Sequence, residues 1–204
     1  MPPIPVNLAV EDELSEAVVR RLLRHAGRAY AIGTTYGLRG NGYLRRNIEG
    51  WNRAARGKPF ILVTDLDRYA CPSALISDWL DRQRHPNLVF RVAVREIEAW
   101  ILADRSTLAN YLVVSEELIP ARAEAEEDPK GTLINVARRS RNRSIRERIV
   151  PRPGSTAQQG PDYNACLSEF VATRWNIATA AGAALSLSRA VRSFRQFSPV
   201  WPDV

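Results

Sequence analysis

The sequence predicts an α/β fold in which a mostly parallel sheet is flanked by helices and followed by a helical C-terminal elaboration. Over the first half of the 204 residues, short apolar runs alternate with segments of helical periodicity, as in parallel sheets with right-handed crossovers. After Asp104 the strand patterns stop, and only helical patterns and loops follow. We therefore expect an α/β core over residues 1–112 and a helical elaboration packed on it over residues 113–204.

The first strand is predicted over residues 6–10 and is followed by a helix over residues 13–25. That helix is indicated by apolar side chains at helical spacing: Leu14, Ala17, Val18, Leu22 and Leu23. A second short strand is predicted over residues 28–32. The glycines that come next, Gly33, Gly37, Gly40 and Gly42, predict a flexible loop.

The next elements continue the alternation of helix and strand. A helix is predicted over residues 44–56 and a strand over residues 60–64, where the sequence is Phe-Ile-Leu-Val-Thr. Pro72 opens another helix, and residues 87–94 form the last predicted strand. Further along the chain we expect a long loop over residues 151–161 and helices over residues 164–175 and 186–197.

The charge of the chain favours a polyanionic partner. Lysine and arginine total 29 against 22 acids, which gives a net charge of +7, and such an excess is common in proteins that bind nucleic acid. The arginines crowd two segments, residues 39–56 and residues 138–148. A run of charge is also typical of an ordinary solvated face, so the pattern alone leaves both interpretations open.

Membrane and thiol chemistry are not expected. No apolar stretch approaches the roughly 20 residues that span a bilayer, and the N-terminus lacks the pattern of a signal peptide. The sequence therefore predicts a soluble, cytoplasmic protein without a membrane partner. Cys71 and Cys166 have no metal-ligand spacing and are interpreted as small buried residues.

Acidic residues follow three of the predicted strands. Glu11 follows the first, Asp65 and Asp67 follow the strand over residues 60–64, and Glu96 and Glu98 follow the last. The carboxyl ends of parallel strands share one edge of the sheet, which is where α/β proteins place their sites. Carboxylates held close together repel each other unless cations neutralise them. Their oxygens suit Mg²⁺ or Mn²⁺, and two such ions would support phosphodiester hydrolysis.

A simpler role is also open to each of these acids. Aspartate and glutamate are favoured at helix N-termini, where they accept hydrogen bonds from free backbone amides. For a single residue this capping role suffices. Acids at three strand-to-helix junctions favour a shared site.

These motifs resemble the TOPRIM fold, which is shared by topoisomerases, bacterial primases and OLD-type nucleases. Glu11 corresponds to its first acid, Asp65 and Asp67 to its Asp-x-Asp pair, and Arg-Glu-Ile-Glu-Ala-Trp at residues 95–100 to its third acidic motif. The resemblance covers residues 6–104. It is closer to the small stand-alone TOPRIM-like proteins of the OLD-type branch, which bacteria often encode beside an ATPase in defence loci.

The resemblance implies a Mg²⁺-dependent (or Mn²⁺-dependent) nuclease that hydrolyses DNA or RNA in defence against phage or foreign DNA. Its metal ligands would be Glu11, Asp65, Asp67, Glu96 and Glu98. The family also uses a late lysine to stabilise transition-state charge, and Lys130 is the only late lysine in this chain. The number of ions, the choice between Glu96 and Glu98, and the oligomeric state stay open.

Two departures from the family pattern stand near the first acid. Asp12 replaces the usual glycine, and Ser15 stands where OLD-type nucleases tend to have a second acid; the neighbouring Glu16 is a candidate replacement. Two other functions also fit the sequence. One is a non-catalytic or latent effector subunit that acts only with a partner ATPase, and the other is a metal-dependent phosphoryl or nucleotidyl transferase on a small substrate.

Overall fold

A four-stranded parallel sheet forms the centre of the protein, whose structure, a computed structural model, describes residues 2–201. The strand order is β2-β1-β3-β4. Every neighbouring pair is parallel, which confirms the predicted α/β class. The strands are β1 (Ile4–Val10), β2 (Tyr30–Gly37), β3 (Phe60–Asp65) and β4 (Leu88–Ala93).

Helices connect the strands and account for the regular structure after β4. The first five are α1 (Glu13–His25), α2 (Asn41–Ala54), α3 (Pro72–Trp79), α4 (Ile97–Leu102) and α5 (Arg105–Leu112). Five more follow two short 3₁₀ turns: α6 (Pro129–Arg138), α7 (Arg143–Ile149), α8 (Tyr163–Thr173), α9 (Ile177–Ala183) and α10 (Leu185–Gln196). Within residues 2–201 no helix has the length and apolar character needed to cross a membrane.

The two faces of the sheet carry two separate apolar cores. Successive side chains of a strand point to opposite faces, and β3 shows this directly. Ile61 and Val63 join the larger core, whereas Phe60 and Leu62 join the smaller one. A strand that is apolar on both faces belongs in the interior of the sheet, and β3 lies between β1 and β4.

The predicted glycine loop is wrong for residues 33–37, which form the second half of β2. Gly37 shows why glycine belongs there, because a Cβ atom at this position would lie 1.9 Å from the carbonyl oxygen of Val10. The glycine lets β2 approach β1 at the carboxyl end of the sheet. The following helix begins at Asn41, three residues before the predicted start, so the loop shrinks to residues 38–40.

The late helices share the larger core with the sheet. That core runs from Ile4 on β1 to Phe197 after α10 and includes residues of α6 and α8. Helices α8 and α10 lie near the predicted positions, but α9 between them was not predicted. Its sequence, Ile-Ala-Thr-Ala-Ala-Gly-Ala, consists mostly of small residues and offers no apolar stripe.

Helix α10 runs antiparallel to the edge strand β4. Near the start of the helix, the hydroxyl of Ser186 accepts a hydrogen bond from the backbone N–H of Val94, just after β4 (3.2 Å). Beyond the other end of the helix, Asn87 makes two hydrogen bonds with the backbone of Val200, at 2.7 and 2.8 Å. The C-terminal segment therefore follows the whole length of β4.

Candidate functional site

Glu11 links the ends of the two central strands. It directly follows β1, and its Oε1 accepts a hydrogen bond from the backbone N–H of Asp65 on β3 at 2.8 Å. The same oxygen accepts a second hydrogen bond from the hydroxyl of Thr64. Because both donors belong to β3, the Glu11 side chain is fixed across the carboxyl edge of the sheet.

Asp65 extends this link to the segment after β4. It is the last residue of β3, and its Oδ1 accepts a hydrogen bond from the backbone N–H of Ile97 at 2.9 Å. Ile97 is the first residue of α4, so the carboxylate lies at a helix N-terminus, where negative charge is favourable. Glu96 and Glu98 flank Ile97 in the chain and are therefore held beside Asp65.

The two glutamates are anchored by residues of the late helices. Glu96 accepts a hydrogen bond from the backbone N–H of Lys130 at 2.9 Å. Glu98 is almost fully buried and accepts one from the hydroxyl of Tyr163, also at 2.9 Å. The Lys130 ammonium lies 5.1 Å from the centre of the Tyr163 ring, within the range of a cation–π contact. Lys130 therefore lies beside both glutamates, and its role in the site stays a prediction.

Asp67 is the most exposed member of the group. Its backbone has a φ of +49°, and its Oδ2 accepts a hydrogen bond from the side-chain amide of Asn41 at 2.5 Å. Asp67 and Glu96 both line an open cleft of about 550 Å³. Three arginines line the same cleft: Arg45, Arg68 and Arg95.

Burial and mutual repulsion raise the pKa of several of these acids. Burial is the main reason why the pKa of Asp65 lies well above its ordinary value, and the charges of Glu11 and Glu98 raise it further. Burial likewise raises the pKa of Glu98 to about 7, against the opposing effect of the nearby Lys130 charge. The pKa of Glu96 is raised by burial as well, with a contribution from the charge of Asp67. The predicted acids therefore share one electrostatic environment.

The donor atoms of this group match the ligands that Mg²⁺ prefers. Each of the five carboxylates is anchored through one oxygen, and in the described part of the chain the other oxygen of Glu11, Asp65, Asp67 and Glu96 accepts no hydrogen bond from the protein. Oxygen-only donors suit Mg²⁺ or Mn²⁺. Among residues 2–201, no three acidic, histidine or cysteine side chains stand in the arrangement of a ready-made ligand set. The match to Mg²⁺ is therefore one of donor chemistry and anchoring, and not of ligand geometry.

Comparison of the chain with known protein families, with curated proteins and with solved structures gave no match. The functional interpretation therefore depends on the geometry of the carboxylate group. That geometry consists of an unbroken series of contacts from Glu11 through Asp65 and the start of α4 to Lys130 and Tyr163.

Three polar residues of the site were missed in the sequence: Asn41, Thr64 and Tyr163. Thr64 precedes Asp65 in the chain, so its position next to the acids could have been noticed. Asn41 and Tyr163 lie far from their partners in the sequence, at separations of 26 and 65 residues. No local pattern predicts such contacts.

The acids around α1 serve that helix. Asp12 is its N-cap and accepts a hydrogen bond from the backbone N–H of Ser15 at 2.8 Å. Glu16 forms an ion pair with Arg20 at 2.7 Å and also accepts a hydrogen bond from the hydroxyl of Thr35. Glu16 is therefore engaged with α1 and β2, and its role as a replacement acid of the site stays a prediction.

The two arginine-rich segments differ in their relation to the site. Arg45 of the first segment lines the acidic cleft, although it also forms an ion pair with Asp78 at 2.9 Å. In the second segment, Arg143 is paired with Glu147 at 2.7 Å, and Arg146 donates a hydrogen bond to the backbone carbonyl of Ser140. Much of that second segment therefore stabilises the late helices.

Proposed function

We propose that this protein is a Mg²⁺-dependent phosphodiesterase that cleaves nucleic acid. The observation that supports this function most strongly is the series of contacts that gathers acids from the ends of β1, β3 and β4. Surface acids that only cap separate helices have no reason to be joined in this way. A phosphodiester substrate accounts for both the acids and the arginines that line the cleft beside them.

Glu11, Asp65 and Asp67, with Glu96 or Glu98, would hold the metal. A bound Mg²⁺ would supply a Lewis acid for the phosphoryl oxygens and lower the pKa of a water. The hydrogen bonds of these carboxylates orient them before the substrate arrives, which lowers the free-energy cost of forming the metal site.

The cationic residues act on the substrate. Arg45, Arg68 and Arg95 line the cleft next to Asp67 and Glu96, and guanidinium groups bind phosphate oxygens through paired hydrogen bonds. Lys130 contacts Glu96 through its backbone N–H, which donates a hydrogen bond to the Glu96 carboxylate. Its ammonium opposes the negative charge of Glu98, and in this proposal it would stabilise charge that develops on a phosphate.

The test is an Asp65→Asn variant assayed on plasmid DNA and on tRNA with Mg²⁺, Mn²⁺ or EDTA. Asparagine keeps an oxygen that can accept the hydrogen bond from Ile97, so the fold should survive while the charge is lost. We expect cleavage by the wild type with either metal, none with EDTA, and a loss of at least about 100-fold in the variant.

The matched control is Asp81→Asn, which makes the same chemical change at an exposed position outside the site. This control should cleave like the wild type. Intrinsic nuclease activity would be ruled out if wild type and Asp65→Asn gave the same products on both substrates in all three conditions.

The exposed edge of β2 favours a second candidate, a latent effector subunit that works with a partner ATPase. Among residues 2–201, β2 pairs only with β1, and its residues, Tyr-Ala-Ile-Gly-Thr-Thr-Tyr-Gly, include no charge and no proline. Natural proteins usually protect edge strands with such residues. An unprotected edge is suited to pairing with a strand of another chain.

This candidate is tested by co-expressing the chain with the ATPase that the resemblance places beside it. Copurification of the ATPase with the wild type, and its loss with Thr34→Lys, would support a partner at this edge. Thr34 is exposed on β2, so an added charge should leave the fold intact. If the ATPase did not copurify with the wild type, this candidate would be abandoned.

A further inference from the structure

A second cleft, of about 450 Å³, lies beside the edge strand β4 and contains none of the predicted site residues. One wall is formed by β4 and the residues that precede it, and the other by α10. The lining includes four arginines, Arg84, Arg91, Arg189 and Arg192, and no acid. The cleft at the carboxyl edge differs, because acids and arginines line it together.

The arginines of this second cleft are not neutralised by any acid among residues 2–201. In the described part of the chain, none of the four forms an ion pair with an acid. The Nε atom of Arg91 is buried and has no hydrogen-bond partner among residues 2–201. Burial lowers the pKa of Arg91, and the charges of Arg84 and Arg189 lower it further. The fold therefore keeps these guanidinium groups close together although their positive charges repel each other.

The backbone keeps these charges close together. Arg91 lies within β4, where it is the only residue that is not buried. Arg189 and Arg192 are three residues apart on α10 and therefore share one face of that helix. Since α10 runs antiparallel along β4, that face lies opposite Arg91. Ser193 and Gln196 add hydroxyl and amide groups to the same lining.

We infer that the cleft between β4 and α10 is a phosphate-binding site separate from the carboxylate group. A phosphate fits this lining because it offers several strong acceptors to guanidinium groups that have no acidic partner in the described part of the chain. An apolar ligand would leave the charges unpaired, and a cation would be repelled. The phosphate comes either from a nucleotide or from the backbone of a nucleic-acid strand, and the volume accommodates both.

The experiment measures binding of pyrophosphate, ATP and a labelled 12-nucleotide single strand in low salt with EDTA. EDTA removes divalent cations, so the result does not depend on the proposed nuclease activity. The main variant is Arg189→Gln with Arg192→Gln, since both residues are exposed and the fold should be retained. Arg24→Gln with Arg122→Gln is the control, because it removes the same amount of charge at exposed positions that are distant in the sequence from α10.

We expect the α10 double variant to weaken binding of at least one probe by about tenfold or more, and the control to bind like the wild type. Binding of ATP and pyrophosphate without the strand would identify a nucleotide as the source, and binding of the strand alone would identify nucleic acid. If the two double variants lost binding equally, the loss would reflect net charge alone, and the inference would be overturned. A wild type that binds none of the three probes would overturn it as well.

A single variant at the buried end of the cleft gives an independent test. Arg91→Gln removes the central guanidinium, and it should weaken the same probe that the α10 double variant weakens. Thermal unfolding of each variant shows whether the fold is retained. If Arg91→Gln folds normally and binds every probe like the wild type, the phosphate does not reach β4 and the inference fails.

Discussion

Burial connects the ionisation of Glu98 to the stability of the fold. Its pKa of about 7 lies above the ordinary 4.5 because the side chain is buried, so the folded state favours the neutral acid. Its contribution to stability is therefore complete below pH 4.5 and is lost as pH rises through about 7. We expect the free energy of unfolding of the wild type to fall by about 3 kcal/mol from this group over that interval.

Glu98→Gln should remove this part of the pH dependence, because glutamine stays neutral and can still accept the hydrogen bond from Tyr163. Urea unfolding in EDTA between pH 4.5 and pH 8, roughly the interval of the titration, measures the difference. Glu117→Gln is the control, since Glu117 is exposed. Identical pH slopes for the wild type and Glu98→Gln would contradict the prediction.

Among single residues, the sequence predicted the acids of the site better than the residues that donate hydrogen bonds to them. Glu11 and Asp65 each follow a recognisable apolar strand, and parallel strands share one edge, so their proximity followed from local patterns. Tyr163 could not be predicted in the same way. Its contact with Glu98 depends on how α8 packs against α1 and α7, and no rule of spacing connects residues on separate elements.

Among the elements, the junction between β2 and α2 depends most strongly on a single residue, because one position there requires glycine. Gly37 has a φ of +112°, and a Cβ atom there would lie 1.9 Å from the Val10 carbonyl oxygen. Gly37→Ala should therefore lower the free energy of unfolding by about 3 kcal/mol or more, through both backbone strain and steric overlap. Thermal or urea unfolding measures this loss.

Gly40→Ala is the matched control for the overlap. Gly40 also has a positive φ, +75°, but a Cβ atom there would have no neighbour within 4 Å. Only the conformational cost remains, about 1 to 3 kcal/mol for a side chain in this region of φ and ψ, so Gly37→Ala should lose more stability than Gly40→Ala. Equal losses for the two variants would show that the close approach of β2 to Val10 is unimportant.

The same junction shows why elements were predicted unevenly. β1 and β3 are apolar on both faces, and runs of that kind are readily recognised as strands. β2 lies at the edge, where the sequence is rich in glycine and threonine, and its second half was therefore interpreted as a loop. α9 was missed for a related reason, since alanine and glycine form no apolar stripe.

For the whole molecule, the larger core determines how the protein unfolds. It joins apolar residues of the predicted α/β core to those of the late helices, so neither part has a complete core without the other. We expect one cooperative transition, with far-ultraviolet circular dichroism and tryptophan fluorescence giving the same midpoint.

Tryptophans on both sides of the sheet allow a stricter form of this measurement. Trp100 and Trp175 lie in the larger core, and Trp51 and Trp79 lie in the smaller one. A variant with Trp51→Phe and Trp79→Phe should show the same midpoint by fluorescence as by circular dichroism. Two separate midpoints would mean that the larger core unfolds independently of the smaller one.

The hydrogen bond between Tyr163 and Glu98 also has a consequence for the order in which the protein is made. The two residues are separated by 65 positions, so a ribosome working at roughly 5 to 20 residues per second produces Tyr163 about 3 to 13 s after Glu98. During that interval the nascent chain already carries all five carboxylates but lacks the side chain that anchors Glu98. The acidic group is therefore completed only after most of the chain has been translated.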